Sequence, residues 1–192
     1  VEYNPFGTNT QSLYLYFCTD NAVSVQYTIH VDRSDISDFT QTAYQSETYQ
    51  TEHELQIIGL IPDETNEITL ELTDIDGNVE KRMISYDMPS LLGKEEVVLD
   101  SEIKNAEKLE NGLYVVMGND SATLDFMYYY DNQGVLRSEI PIIGYRSHRL
   151  LFDEQGMYYS ISESRIARVN RLGQVTDLYN LGNYNLHHDY VF

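Results

Sequence analysis

Hydrophobic and polar positions alternate along much of the first ninety residues. Leu13, Leu15 and Phe17 alternate with Tyr14 and Tyr16, and from Val23 to Val31 the residues Val23, Val25, Tyr27, Ile29 and Val31 share one face while Ser24, Gln26, Thr28 and His30 share the other. A period of two over nine residues predicts a half-buried strand. Further strands are expected near Glu54 to Ile58, Ile68 to Thr73 and Val79 to Tyr86, with Asp76-Gly77 as the tight turn between the last two. Ile68, Leu70 and Leu72 fall on one face, opposite Thr69, Glu71 and Thr73. One covered and one wet face is the pattern of an antiparallel sandwich. The polar stretch between Asp32 and Tyr49 reads as a long loop with an irregular edge segment.

Beyond residue 90 the pattern changes to short strands punctuated by one kind of turn. Asp131-Asn132-Gln133-Gly134, Asp153-Glu154-Gln155-Gly156 and Asn170-Arg171-Leu172-Gly173 each pair an Asx side chain that caps its own turn with a glycine suited to positive φ. Strands are predicted near Gly112 to Met117, Thr123 to Tyr130, Gly134 to Ile140, His148 to Phe152, Met157 to Ser160, Arg165 to Val169, Gln174 to Tyr179 and Leu186 to Phe192. His148 and His188 are 40 residues apart, as are Phe152 and Phe192, and Gly134 and Gly173 are 39 apart. About 40 residues holding four strands is the size of one propeller blade. The expected fold is therefore all-β: an N-terminal immunoglobulin/fibronectin-like β-sandwich over residues 1–90, then the first blades of an incomplete β-propeller over 91–192. The second unit would hold about two blades and the first strand of a third. A closed ring takes about four to eight blades, so the chain is expected to be part of a longer, truncated or fragmentary product, with the 192 residues inactive alone.

Charge narrows the function. The chain carries 31 acidic and 12 basic side chains, a net charge of −19, which repels nucleic acid rather than steering it in. The acidic excess is concentrated in residues 1–90, with 16 acidic and 3 basic side chains against 15 and 9 in the remainder. That shift, together with the stretch from Asp87 to Gly93, marks the domain boundary. No run approaches the roughly 18 apolar residues of a membrane-spanning helix. Cys18 is the only cysteine, so no internal disulfide or cysteine-rich zinc site exists, and no metal or cofactor is expected.

Candidate chemistry concentrates in Asn185-Leu186-His187-His188-Asp189-Tyr190. In a strand, His187 and Asp189 would share one face and His188 the other, with Leu186 and Tyr190. An innermost strand lines the central channel of a propeller, which makes these histidines candidate site residues. The bland alternative has one histidine donating to Asp189 and the other packed beneath a neighbouring blade. Arg146 and His148 occupy the matching place one blade earlier and are weaker candidates for substrate binding. Arg137 reads as a surface residue pairing with a carboxylate, His30 and His53 as surface or loop histidines, and Asp74 to Asn78 as a hairpin turn rather than a calcium loop. In Tyr128-Tyr129-Tyr130, alternation sends Tyr129 to the opposite face.

The segment Leu55-Gln56-Ile57-Ile58-Gly59-Leu60-Ile61-Pro62-Asp63-Glu64-Thr65 resembles the corner of fibronectin type III domains, with Glu67 where a corner tyrosine usually stands. With the blade-like Tyr130-Asp131-Asn132-Gln133-Gly134-Val135-Leu136-Arg137 and the later Tyr184-Asn185-Leu186-His187-His188-Asp189, nearly the whole chain resembles the bacterial arylsulfate sulfotransferase family. The resemblance implies a six-bladed propeller preceded by a small β domain that exchanges a strand in a homodimer. It implies PAPS-independent transfer of a sulfuryl group from a phenolic sulfate donor to a phenol acceptor through a sulfohistidine, in an exported (periplasmic, cell-surface or extracellular) protein. His187 or His188 would then act as general acid/base or sulfate-oxygen donor, the nucleophilic histidine belonging to a later blade. A non-enzymatic propeller for binding or adhesion, or a sandwich serving mainly assembly, are the alternative readings.

Overall fold

The alternation from Ser12 onward builds one unusually long strand. The computed structural model describes residues 1–44, 48–100, 108–110, 112–117, 124–143 and 149–191. After the short β1 (Glu2–Tyr3), β2 runs from Ser12 to His30, joining the two stretches that the pattern separates. Its first half pairs antiparallel with β4 (Gln50–Ile58), Ser12 opposite Ile58 through Cys18 opposite Glu52. Its second half pairs with β5 (Thr65–Asp74), Val23 opposite Asp74 through His30 opposite Glu67, and with β3 (Phe39–Thr42) on its other edge. The register shifts between Cys18 and Val23, where Thr19, Asp20 and Asn21 interrupt the apolar rhythm. β6 (Val79–Asp87) pairs with β5.

Both halves of β2 send side chains into one core, which holds Leu13, Leu15, Val25, Tyr27 and Ile29 with Leu55, Ile57, Ile68, Leu70 and Leu72. A strand of 19 residues at about 3.3 Å each would span about 60 Å, far more than one small core can cover. The register shift between Cys18 and Val23 lets a single strand pair with β4 along its first half and with β5 and β3 along its second, while both halves feed the same core. The predicted corner forms. Gly59 has φ +96° and its Cα faces the Phe39 ring, where a Cβ would lie 2.5 Å from two ring carbons. Leu60 and Ile61 are fully buried. The task of the absent corner tyrosine is taken by Asn66, whose Oδ1 accepts from the Ile61 N–H and whose Nδ2 donates to the carbonyls of Ile61 and Glu64. On the strand side, Tyr27 adds a hydroxyl 3.3 Å from the Ile58 N.

Two further antiparallel sheets follow, each a meander. The first is β7 (Tyr114–Met117), β8 (Leu124–Tyr130) and β9 (Leu136–Ile143); the second is β10 (Leu151–Asp153), β11 (Gly156–Ser162), β12 (Arg165–Asn170) and β13 (Val175–Asn180). They pack face to face through Met127, Ile140 and Ile142 against Tyr159, Ala167 and Val169. Tyr129 faces this layer, while Tyr128 and Tyr130 point to the other face with Phe126 and Leu136. The Asx turns form: Asp131 Oδ1 accepts from the N–H of Gln133 and Val135, Asp153 Oδ1 from Gln155 and Gly156, and Asn170 Oδ1 from Leu172 and Gln174. Gly134 and Gly173 take positive φ. Gly156 does not; it is needed because a Cβ there would lie 2.2 Å from the Val169 carbonyl oxygen. The Gly134 turn joins β8 to β9 and the Gly173 turn joins β12 to β13, so the 39-residue spacing superposes the last hairpin of one sheet on the last hairpin of the next.

The expected strand from Leu186 to Phe192 is not present over residues 186–191; Phe192 lies outside the described residues. Its backbone is engaged otherwise, the Leu186 N–H donating to the Glu163 carbonyl at 2.5 Å and the Tyr190 N–H to Asp189 Oδ1 at 2.8 Å. No helix among the described residues is long and apolar enough to cross a membrane.

Arg137 corrects another expectation: it pairs with a carboxylate, but in the interior. It is 1% exposed. Its Nε donates to Asp131 Oδ2 at 2.8 Å, Nη1 to the Gly59 carbonyl at 3.3 Å and Nη2 to the Ser37 carbonyl at 3.1 Å, and its guanidinium lies over the Phe39 ring at 4.6 Å. Two residues on, on the same face of β9, Glu139 is fully buried and accepts from the Thr10 hydroxyl and from the N–H groups of Leu92 and Gly93. Around them Val31, Ile36 and Ile61 of the first unit pack against Val135 of the second.

Candidate functional site

The histidine pair is carried on the segment that leaves β13. The Leu181 N–H donates to the Ser164 carbonyl and the Leu186 N–H to the Glu163 carbonyl, tying the segment to the turn between β11 and β12. Leu186 is buried. Four residues later the Tyr190 hydroxyl lies 2.8 Å from the Arg149 carbonyl and 3.1 Å from the Tyr158 carbonyl, beside the start of β10. Burial pushes the Tyr190 phenol up to about 12, with nearby Arg149 opposing, so it stays protonated and donates across neutral pH. Leu186 and Tyr190 thus act as two pins, and the three residues between them are left exposed.

Within that span the rings of His187 and His188 meet edge to face, with centroids 3.9 Å apart and planes at 68°. The strand alternation that would have separated them does not apply, because the segment is irregular. Asp189 Oδ1 lies 3.6 Å from Arg149 Nε, which adds a guanidinium to the same end of the sheet. Two imidazoles and an arginine form a set of donors suited to an oxyanion, and an imidazole can also pass a proton. Neither Arg146 nor His148 is among the described residues. No group of three or more His, Cys, Asp or Glu placed to hold a metal ion occurs among the described residues.

The other two described histidines, His30 and His53, sit away from this site. His30 is exposed and 2.7 Å from Asp38 Oδ1, whose hydrogen bond raises its pKa. His53 departs from expectation: it is fully buried in β4, stacked on Phe17 at 4.6 Å, with Nδ1 3.1 Å from the Tyr44 hydroxyl and Nε2 3.3 Å from the Thr19 hydroxyl. Burial lowers its pKa. The turn from Asp74 to Asn78 is a hairpin turn, the Asp74 carboxylate accepting from the N–H of Asp76 and Asn78 and from the Asn78 amide, which lowers its pKa.

Arg149 and Tyr190 are the parts of the site that periodicity does not single out. Arg149 adjoins His148 and could be found by that adjacency alone, whereas Tyr190, one of 17 tyrosines, is marked only by its place at the end of the candidate segment.

No curated protein matches the chain. Residues 1–89 match the arylsulfotransferase Ig-like domain and residues 99–192 match the arylsulfotransferase (ASST) family. With its Ig-like first unit, its all-β second unit and these two consecutive matches, the chain belongs to the arylsulfotransferase family, and its function is of the sulfotransferase type.

Proposed function

We propose that this chain is the N-terminal part of a PAPS-independent aryl-sulfate sulfotransferase, in which the sheets β7–β9 and β10–β13 are successive blades of a six-bladed propeller. The reading requires further blades, since a ring closes with about four to eight. It draws support from the repeated hairpins at Gly134 and Gly173 and from the face-to-face packing of consecutive meanders. The observation that carries the site is the pinning of His187 and His188 side by side, with Arg149 close by, at one end of the second sheet.

In the proposed reaction the bond from sulfur to the phenolic oxygen breaks as a bond to an imidazole nitrogen forms on the nucleophilic histidine of a later blade. The sulfuryl group then passes from that nitrogen to the oxygen of a phenol acceptor, which gives up its proton. His187 or His188 protonates the departing phenolate, takes the proton back from the acceptor, or donates to the sulfuryl oxygens as their charge develops. Neither step calls for a metal or an organic cofactor. Strand exchange between sandwiches, giving a homodimer, and export from the cytoplasm belong to the same reading.

The test is transfer from a chromogenic aryl sulfate to a phenol by a polypeptide carrying these residues with its further blades. His187→Ala/His188→Ala should lower kcat by about 10²-fold or more with an unchanged melting temperature. Undiminished turnover in the double variant would remove the assignment. A binding or adhesion protein is the alternative, and it predicts no transfer with any aryl sulfate.

A further inference from the structure

Between the sandwich and the two later sheets lies a cavity of about 150 Å³. Its walls are mainly apolar: Ile58 from β4, Leu113 just before β7, Tyr129 and Ile140 from the first meander, Met157 and Val169 from the second. Gln56, Ser138 and Asn170 supply polar groups, and among the described residues no Lys, Arg, Asp, Glu or His lines it. Ile58, Leu113 and Tyr129 also line a wider groove bordered by β3 and by Leu150 and Phe152.

Size, lining and charge together restrict what this space would hold. An apolar cavity of about 150 Å³ is large enough to take a single benzene ring. Tyrosine edges and the Met157 sulfur, which lies 3.1 Å from the Tyr129 hydroxyl, make favourable contacts with an aromatic ring. A charged ligand would lose hydration with no opposite charge among the described wall residues to replace it, which favours a neutral phenol over a phenolate or a sulfate ester, while its one hydroxyl can donate to the Gln56 amide oxygen and accept from the Ser138 hydroxyl on the wall. We infer that this inter-unit cavity is a binding site for a small, uncharged, single-ring phenol, separate from the exposed histidine segment. This inference stands apart from the sulfuryl-transfer reading, because it uses none of its residues.

The experiment uses the whole chain with methyl-labelled methionine and isoleucine, titrated with phenol and followed by NMR. A saturable shift of the Met157 methyl is expected, with NOEs from phenol ring protons to Met157 and Ile140, and no shift from phenyl sulfate at equal concentration. Val169→Phe, which fills the space, should weaken phenol binding at least tenfold. The inference is overturned if the Met157 methyl shows no saturable shift, if phenyl sulfate shifts it equally, or if a folded Val169→Phe binds as well as the parent. Should that variant fail to fold, the NOEs decide: contacts to methyl groups outside the cavity wall alone would overturn the site.

Discussion

Replacing Arg137 by Ala should be among the most damaging single changes in the molecule. The substitution leaves Asp131 without its cation at a site where its side chain is 10% exposed, and strips donors from the carbonyls of Gly59 and Ser37. Breaking a buried pair from one side costs about 3–5 kcal/mol. The lost guanidinium–Phe39 contact would add roughly 0.5–2 kcal/mol, but burial lowers the Arg137 pKa, so part of the gain is already offset in the parent by desolvation. The expected loss is therefore about 3–5 kcal/mol, a large part of the roughly 5–15 kcal/mol that keeps a domain folded. Because the four groups that Arg137 touches come from both units, the sandwich and the following sheets should unfold together in the parent. Urea denaturation followed by far-UV circular dichroism and by tyrosine fluorescence gives both quantities. Coincident transitions are expected in the parent, with a midpoint lowered in Arg137→Ala; Arg137→Lys should recover only part of the loss, since an ammonium lacks the planar fork. A loss below about 0.5 kcal/mol, the range of ordinary surface substitutions, would refute the reasoning.

Four further outcomes follow from the same geometry. Gly59→Ala combines a positive φ with a Cβ placed against the Phe39 ring and should cost at least about 2 kcal/mol by urea titration; a neutral result would mean that the corner yields. Burial keeps His53 neutral in the folded chain, and the unfolded chain takes up the proton first as pH falls through about 6.5, so stability should drop on the acid side and His53→Gln should flatten that drop in urea midpoints between pH 8 and 5. His30 works in the opposite sense: its raised pKa gives stabilisation that is full below about 6.5 and is lost as pH rises through the folded value, so His30→Gln should steepen the acid-side drop. Tyr190→Phe removes the hydroxyl that pins the histidine segment to the Arg149 and Tyr158 carbonyls; backbone hydrogen exchange over residues 186–190 should accelerate, and unaltered exchange would show that Leu186 alone holds it.

Much of the fold was legible because it rests on alternation and turn chemistry, both local. The rhythm of β2, β5 and β6 and the Asx turns at Asp131, Asp153 and Asn170 follow from residues within a few positions of one another. The joining of two stretches into one strand of 19 residues was not legible, since only the shared core shows why Thr19 to Ala22 shift its register rather than end it. Arg137 was misleading for a related reason: a charge on a strand ordinarily marks a wet face, and only the arrival of Gly59, Ser37 and Phe39 from the first unit turns that face inward. His53 was read as superficial because neither Tyr44 nor Thr19 is near it in sequence. At the candidate site the His-His-Asp element was visible, but its conformation was not. A strand there needs a neighbouring strand to accept its hydrogen bonds, whereas the segment is held instead by the Glu163 carbonyl and by Tyr190.

The central claim is that His187 and His188 face the sulfuryl group of an aryl sulfate from the end of a radial array of blades. A crystal structure of the polypeptide carrying this chain with its further blades, soaked with a slowly reacting aryl sulfate, tests it most directly. The account predicts a closed ring with a sulfate oxygen within about 3.2 Å of an imidazole nitrogen of His187 or His188. An ester bound elsewhere, with both rings turned to bulk solvent, would contradict it.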